Sequence, residues 1–134
     1  MQESSFKHEM DVRDYECDMQ GIVNNSVYQN YLEHARHQYL KFIKLDFADL
    51  TEKGINLVVK RIEIDYQTPL RSGDKFFVDV EMIRLSPLRF GFKQNIYRIA
   101  DQKLIVKALV IGTSINERGR PFLPDELVEA FGID

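Results

Sequence analysis

The chain has 134 residues, 44% hydrophobic and 29% charged, a size and balance that suit one domain over residues 1–134 with one sizeable core. Its formal net charge of −3 argues against the broad basic surface that nucleic-acid binding needs. No run of 18 apolar residues could span a membrane as a helix, Met1 to Glu9 lack the apolar stretch of a signal peptide, and the lone thiol Cys17 cannot form an internal disulfide, so a cytoplasmic protein is expected.

Phe6 to Val12 is a candidate first strand. Tyr15 to Asn25 is loop-like, with Gly21 and the pair Asn24-Asn25. The period then changes. Tyr28, Tyr31, Leu32, Ala35, Tyr39, Phe42 and Ile43 form an apolar stripe at helical spacing over about four turns. Asn25 or Ser26 is the expected N-cap, because a short polar side chain can accept from the first free backbone N–H groups. Asp46 to Lys53 predicts a short second helix stopped by Gly54.

Strand patterns follow. Ile62, Ile64 and Tyr66 alternate with Arg61, Glu63 and Asp65. Phe76, Val78, Val80 and Met82 alternate again, and Phe90 and Phe92 begin a run that reaches Ile99. Leu104 to Ile111 is nearly all apolar, as a central, doubly covered strand would be. Turns are expected at Pro69 with Gly73-Asp74, at Ser86-Pro87, at Asp101-Gln102 and at Glu117 to Gly119. A last helix should start at Pro124, with Asp125 and Glu126 in its first turn and Gly132 beyond its end. One long helix followed by about four long antiparallel strands is an α+β plan, with the sheet wrapped around the aromatic helix stripe.

The stretch from Tyr15 to Arg36 carries the chemistry. It sets the carboxylate of Asp18 seven residues before the first turn of the long helix. A helix N-terminus offers unpaired N–H groups and a partial positive charge, which suit a carbonyl oxygen that becomes negative during acyl transfer. A carboxylate across that carbonyl could attack the carbon or deprotonate a water. Gly21 would let the backbone approach the substrate. Taken alone, however, an Asp before a helix is usually a turn former or a solvated charge.

The segment resembles the 4-hydroxybenzoyl-CoA thioesterase family of hotdog proteins, including relatives found with the bacterial Tol–Pal genes. Asp18, Gly21, Ile22, Val23, Asn24, Asn25, Tyr28, Tyr31, Glu33 and Arg36 occupy the places of that family's motif. The resemblance implies a hotdog fold and hydrolysis of an acyl-CoA thioester to free acid and CoA, with neither metal nor organic cofactor. It makes Asp18 the nucleophile or general base and puts the oxyanion contact at the backbone N–H of Asn25. Gly21, Ile22, Val23 and Tyr28 would border the substrate. The family's active site lies between subunits, so a homodimer is the minimum assembly implied, and a homotetramer is common.

Ser86 falls where relatives carry a hydroxyl residue facing the substrate from the partner chain, although Pro87 departs from the small polar residue usual beside it. A turn role for Ser86 is the competing expectation. Coenzyme A phosphates favour Lys and Arg, with Arg89 the first choice among Lys60, Arg61, Arg84 and Arg89.

Other constellations carry less. Asp14, Glu16 and Asp18 begin like a calcium loop, but Met19 stands where that loop needs Gly and Asn25 where it needs Glu. His34 and His37 lie three apart with no third metal ligand evident. No histidine neighbours Cys17 in sequence to activate it. Glu33 and Arg36 are spaced to pair on one helix. The alternatives to an acyl-CoA thioesterase are an acyl-carrier-protein thioesterase, a non-catalytic acyl-binding or assembly protein, and a dehydratase. The last lacks the histidine its chemistry would need between Tyr15 and Ser26.

Overall fold

The computed structural model describes residues 6–133. Residues 1–5, part of the segment expected to lack a leader, and residue 134 lie outside it. The elements are β1 (Phe6–Asp11), α1 (Asn25–Phe42), α2 (Phe47–Glu52), β2 (Asn56–Tyr66), β3 (Lys75–Ser86), β4 (Arg89–Arg98), β5 (Leu104–Ile115), β6 (Pro121–Phe122) and α3 (Asp125–Phe131). The strands form one antiparallel sheet in the order β1-β3-β4-β5-β2, with β6 paired to β5.

Helix α1 buries Tyr28, Tyr31, Leu32, Ala35, Tyr39 and Leu40, and these meet Phe76, Val78 and Val80 of β3 and Ile96, Val106 and Val110 of the central strands in one core. The helical stripe read from sequence is therefore the core face, except at its end. Phe42 lies largely exposed beside Phe6. Strand β5 sits between β4 and β2, which accounts for its apolar run. An antiparallel sheet closed over one long helix is the hotdog arrangement.

The two short helices match their punctuation. The Asp46 carboxylate accepts from the Ala48 N–H at the start of α2, and Gly132 ends α3 in the left-handed region at φ 70°. No helix among the described residues is long and apolar enough to cross a membrane.

The β3–β4 ladder has a gap in mid-strand. Pairing between β3 and β4 lapses between Val78 and Glu81, and there the Asp79 carboxylate accepts from the Asn95 N–H at 2.7 Å. Burial pushes the Asp79 carboxyl up, against the hydrogen bond from Asn95 and the charge of Lys7 on β1, while Glu81 adds to the rise. The folded chain thus binds that proton more readily than the unfolded one. The stability this supplies is present in acid and lost as pH rises through the folded-state value. Asp79→Asn, which keeps an acceptor for Asn95, is expected to raise the melting temperature at neutral pH. The gain should shrink towards about pH 4, where ordinary carboxylates protonate. Thermal melts across that range check it.

Candidate active site

The loop before α1 is a small antiparallel hairpin. The Asn24 N–H donates to the Glu16 carbonyl at 3.0 Å, Cys17 bridges Val23, and the Asp18 N–H donates to the Ile22 carbonyl at 2.9 Å. A turn through Met19 and Gln20 closes it, with the Gly21 N–H donating back to the Asp18 carbonyl at 3.0 Å. Gly21 sits at φ 81°, a left-handed conformation that costs glycine little. The hairpin is sewn to the body where the Val23 N–H donates to the Leu70 carbonyl at 2.9 Å and Ile22 bridges Arg71.

Asp18 holds its own turn together. Its Oδ1 accepts from the Gln20 N–H at 2.9 Å and lies 3.5 Å from the Ile22 nitrogen. Its Oδ2 has no partner among the described residues, and the side chain is exposed. The turn-forming role weighed from sequence is thus real, and it leaves one carboxylate oxygen available. Asp18 lies two positions along the strand from the Glu16–Asn24 pair, so it stands about 7 Å along the hairpin from the start of α1.

Helix α1 starts one residue earlier than expected. Its N-cap is Asn24, because that residue's N–H is committed to the hairpin while its carbonyl accepts from Val27 at 2.9 Å. The Asn24 side chain makes no cap hydrogen bond. The backbone N–H groups of Asn25 and Ser26 have no acceptor among the described residues. An 18-residue helix therefore presents open donors beside a carboxylate.

The neighbouring site residues divide. Ile22 is half-buried, whereas Val23 is buried in the core. Tyr28 is buried too, its hydroxyl accepting from the Leu70 N–H at 2.9 Å. Its ring stands 5.7 Å from that of Tyr66, whose hydroxyl lies 3.5 Å from the Asn25 carbonyl.

Sequence reasoning passed over the residues that hold the hairpin. Glu16 accepts from the Tyr31 hydroxyl at 2.7 Å and from the Arg13 N–H at 2.9 Å. Burial, then the Glu16 carboxylate, push the Tyr31 phenol up, so it stays a donor. The signal was present: Glu16 stands two residues before Asp18, and Tyr31 lies on the buried stripe. Burial also pushes the Cys17 thiol up, with Asp14 and Asp18 adding to the effect, which disfavours a thiolate nucleophile.

Ser86 and Arg89 stand far from Asp18 within one chain. The hairpin docks at Arg71, just before β3, and Ser86 ends that 12-residue strand, about 40 Å of extended chain away. The Ser86 hydroxyl lies 3.4 Å from the Leu88 nitrogen, a turn contact. Arg84 is occupied bracing the same turn through the Ser86 and Pro87 carbonyls, and Arg61 pairs with Glu63. Arg89 is exposed and has no ion-pair partner among the described residues.

The Glu33–Arg36 pairing does not form. Arg36 turns inward to the Gln94 Oε1 at 3.1 Å, and Glu33 lies 3.9 Å from His37 instead. His34 packs against His8 at 5.0 Å between ring centres. No cluster of three or more potential metal ligands occurs among the described residues.

Both the sheet-and-helix plan and this hairpin define a hotdog protein. Residues 12–131 match the family model described as the thioesterase-like superfamily, and the chain belongs to that family. It is 36% identical over 113 residues to the chloroplastic acyl-acyl carrier protein thioesterase ATL3 of Arabidopsis thaliana, a match covering 84% of this chain and 60% of that one. The chain thus matches well under two thirds of that relative's length. It is 28% identical over 101 residues to the acyl-CoA thioesterase YbgC of Haemophilus influenzae, covering 73% of each. A hypothetical protein from Aquifex aeolicus superposes with a TM-score of 0.85 at 27% identity, over 94% of this chain and 98% of that one.

Proposed function

We propose that this chain is a thioester hydrolase that cleaves acyl-CoA to a free acid and CoA, with Asp18 as the reacting carboxylate. The observation that carries the proposal is the pairing of a free Asp18 oxygen with the uncapped N-terminus of α1 on one hairpin. A thioester carbonyl bound between them would have its oxygen at the Asn25 N–H and its carbon towards Asp18. Asp18 adds to that carbon or takes a proton from an attacking water, the oxyanion rests on the helix donors, and the thiolate of CoA leaves. Water supplies the oxygen of the acid and the proton of the thiol.

A homodimer completes the site in this proposal. Strand β2 is an edge of the sheet, 11 residues long, exposing Val59 at 49%, Ile62 at 37% and Tyr66 at 46%. Such an edge invites a second strand. It carries Lys60 and Arg61 in its first half and Glu63 and Asp65 in its second. A reversed copy centred on Ile62 lays Arg61 of each chain opposite Glu63 of the other. That register sets early residues of the partner's β2 beside Tyr66, and so beside Asn25 and the Asp18 hairpin. The same operation carries the partner's β3–β4 turn, with its serine and free arginine, towards the site that one chain cannot reach alone.

Hydrolysis of acyl-carrier-protein thioesters is the second reading, favoured by the identity to the plant enzyme. Thiol release from matched acyl-CoA and acyl-carrier-protein substrates separates the two. Acyl-CoA turnover by a dimer, measured alongside sedimentation mass, is the expected result. Turnover of the carrier-protein substrate alone would select the second reading, and a catalytically competent monomer would overturn the shared site.

A further inference from the structure

One charged side chain is left incompletely paired in the interior. Arg36 is 8% exposed, and its guanidinium stands over the Phe92 ring at 5.8 Å. Nη1 donates to the Gln94 Oε1, and the Gln94 amide donates in turn to the Leu32 carbonyl at 3.0 Å. No carboxylate lies within ion-pair distance of Arg36 among the described residues, and neither Nε nor Nη2 has an acceptor there. No fully enclosed side-chain polar atom is unpartnered among those residues, so these donors retain an opening. The opening is a cavity of about 170 Å³ between α1 and the sheet, walled by Leu40, Phe47, Val58, Phe90, Phe92 and Gly112.

An apolar cavity with one buried multiple donor on its wall is built for an apolar ligand that carries an acceptor. A guanidinium cannot neutralise itself, and leaving its N–H groups unmatched is unfavourable, so an oxygen placed there is strongly preferred over a methyl group. Glu33 at the cavity rim already offsets part of the positive charge, which favours an uncharged oxygen over a second anion. Cavities near 150 Å³ accommodate benzene, so the space takes about six heavy atoms.

We propose that Arg36 is a specificity-determining residue that selects short acyl groups bearing a carbonyl or hydroxyl oxygen away from the thioester. This rests on the thioesterase proposal above, in which the partner's Asp18 hairpin faces the β2 edge of this cavity.

The test compares hexanoyl-CoA with 5-oxohexanoyl-CoA. Native protein is expected to favour the oxo substrate in kcat/KM by about 10- to 100-fold, the range of a hydrogen bond to a charged group. Arg36→Met should bring the ratio close to one. Calorimetric titration of Asp18→Asn with the same pair should show the same preference in Kd, without turnover. A native ratio near one, or equal binding by Asp18→Asn, would overturn the role of Arg36 whether or not Arg36→Met folds. Absence of turnover on both substrates would instead sink the thioesterase proposal, leaving the calorimetric ratio to judge Arg36.

Discussion

Asp18→Asn is expected to lower kcat for thioester hydrolysis by about 100- to 10,000-fold, the usual contribution of a positioned base or more. The substitution is nearly isosteric. An amide oxygen can still accept from the Gln20 and Ile22 N–H groups, so the turn and its sewing to Leu70 should persist. What disappears is the carboxylate oxygen that has no partner among the described residues. Thiol release and a thermal melt, run on the same preparation, check the two halves. A variant that melts normally but turns over substrate at the native rate would remove Asp18 from the reaction and leave it as a turn former.

Phe76→Ala should destabilise the fold by about 3–5 kcal/mol, the range for truncating a buried aromatic side chain. Phe76 is 0% exposed, and its ring centre lies 4.6 Å from that of Tyr31. The consequence reaches the site, because Tyr31 is one of the two residues that hold Glu16, and Glu16 anchors the base of the Asp18 hairpin. Denaturant unfolding measures the first effect. Faster amide exchange at Asp18 and Asn24, whose N–H groups close the hairpin, measures the second. Unfolding at the native midpoint would show that the core tolerates the gap.

Much of this architecture was legible from period and punctuation. The buried face of α1, the capped start of α2, the glycine stop of α3 and the apolar run of β5 each follow from residues close together in sequence. Ile62 and Tyr66 were harder: they alternate like core residues, yet both are exposed because β2 is an edge, and position within a sheet is not a local property. The contacts that build the site cross long separations. Val23 meets Leu70, Tyr28 meets the same residue, and Arg36 meets Gln94 across 58 positions. No periodicity forecasts such partners. The spacing of Glu33 and Arg36 suggested a local ion pair, and burial of the guanidinium against Phe92 overrode it.

The open start of α1 also bears on how firmly the empty protein is folded. A side-chain cap at such an end is worth about 0.5–2 kcal/mol, and Asn24, a residue type well suited to supply one, does not. The fold forgoes that increment at the helix terminus where, in the proposed reaction, a cap would obstruct an incoming oxygen. An acceptor that docks on those donors satisfies them in the cap's place. Because it binds only the folded form, its binding free energy adds directly to stability. Melting temperature should therefore climb with ligand concentration, making heat resistance itself a gauge of occupancy.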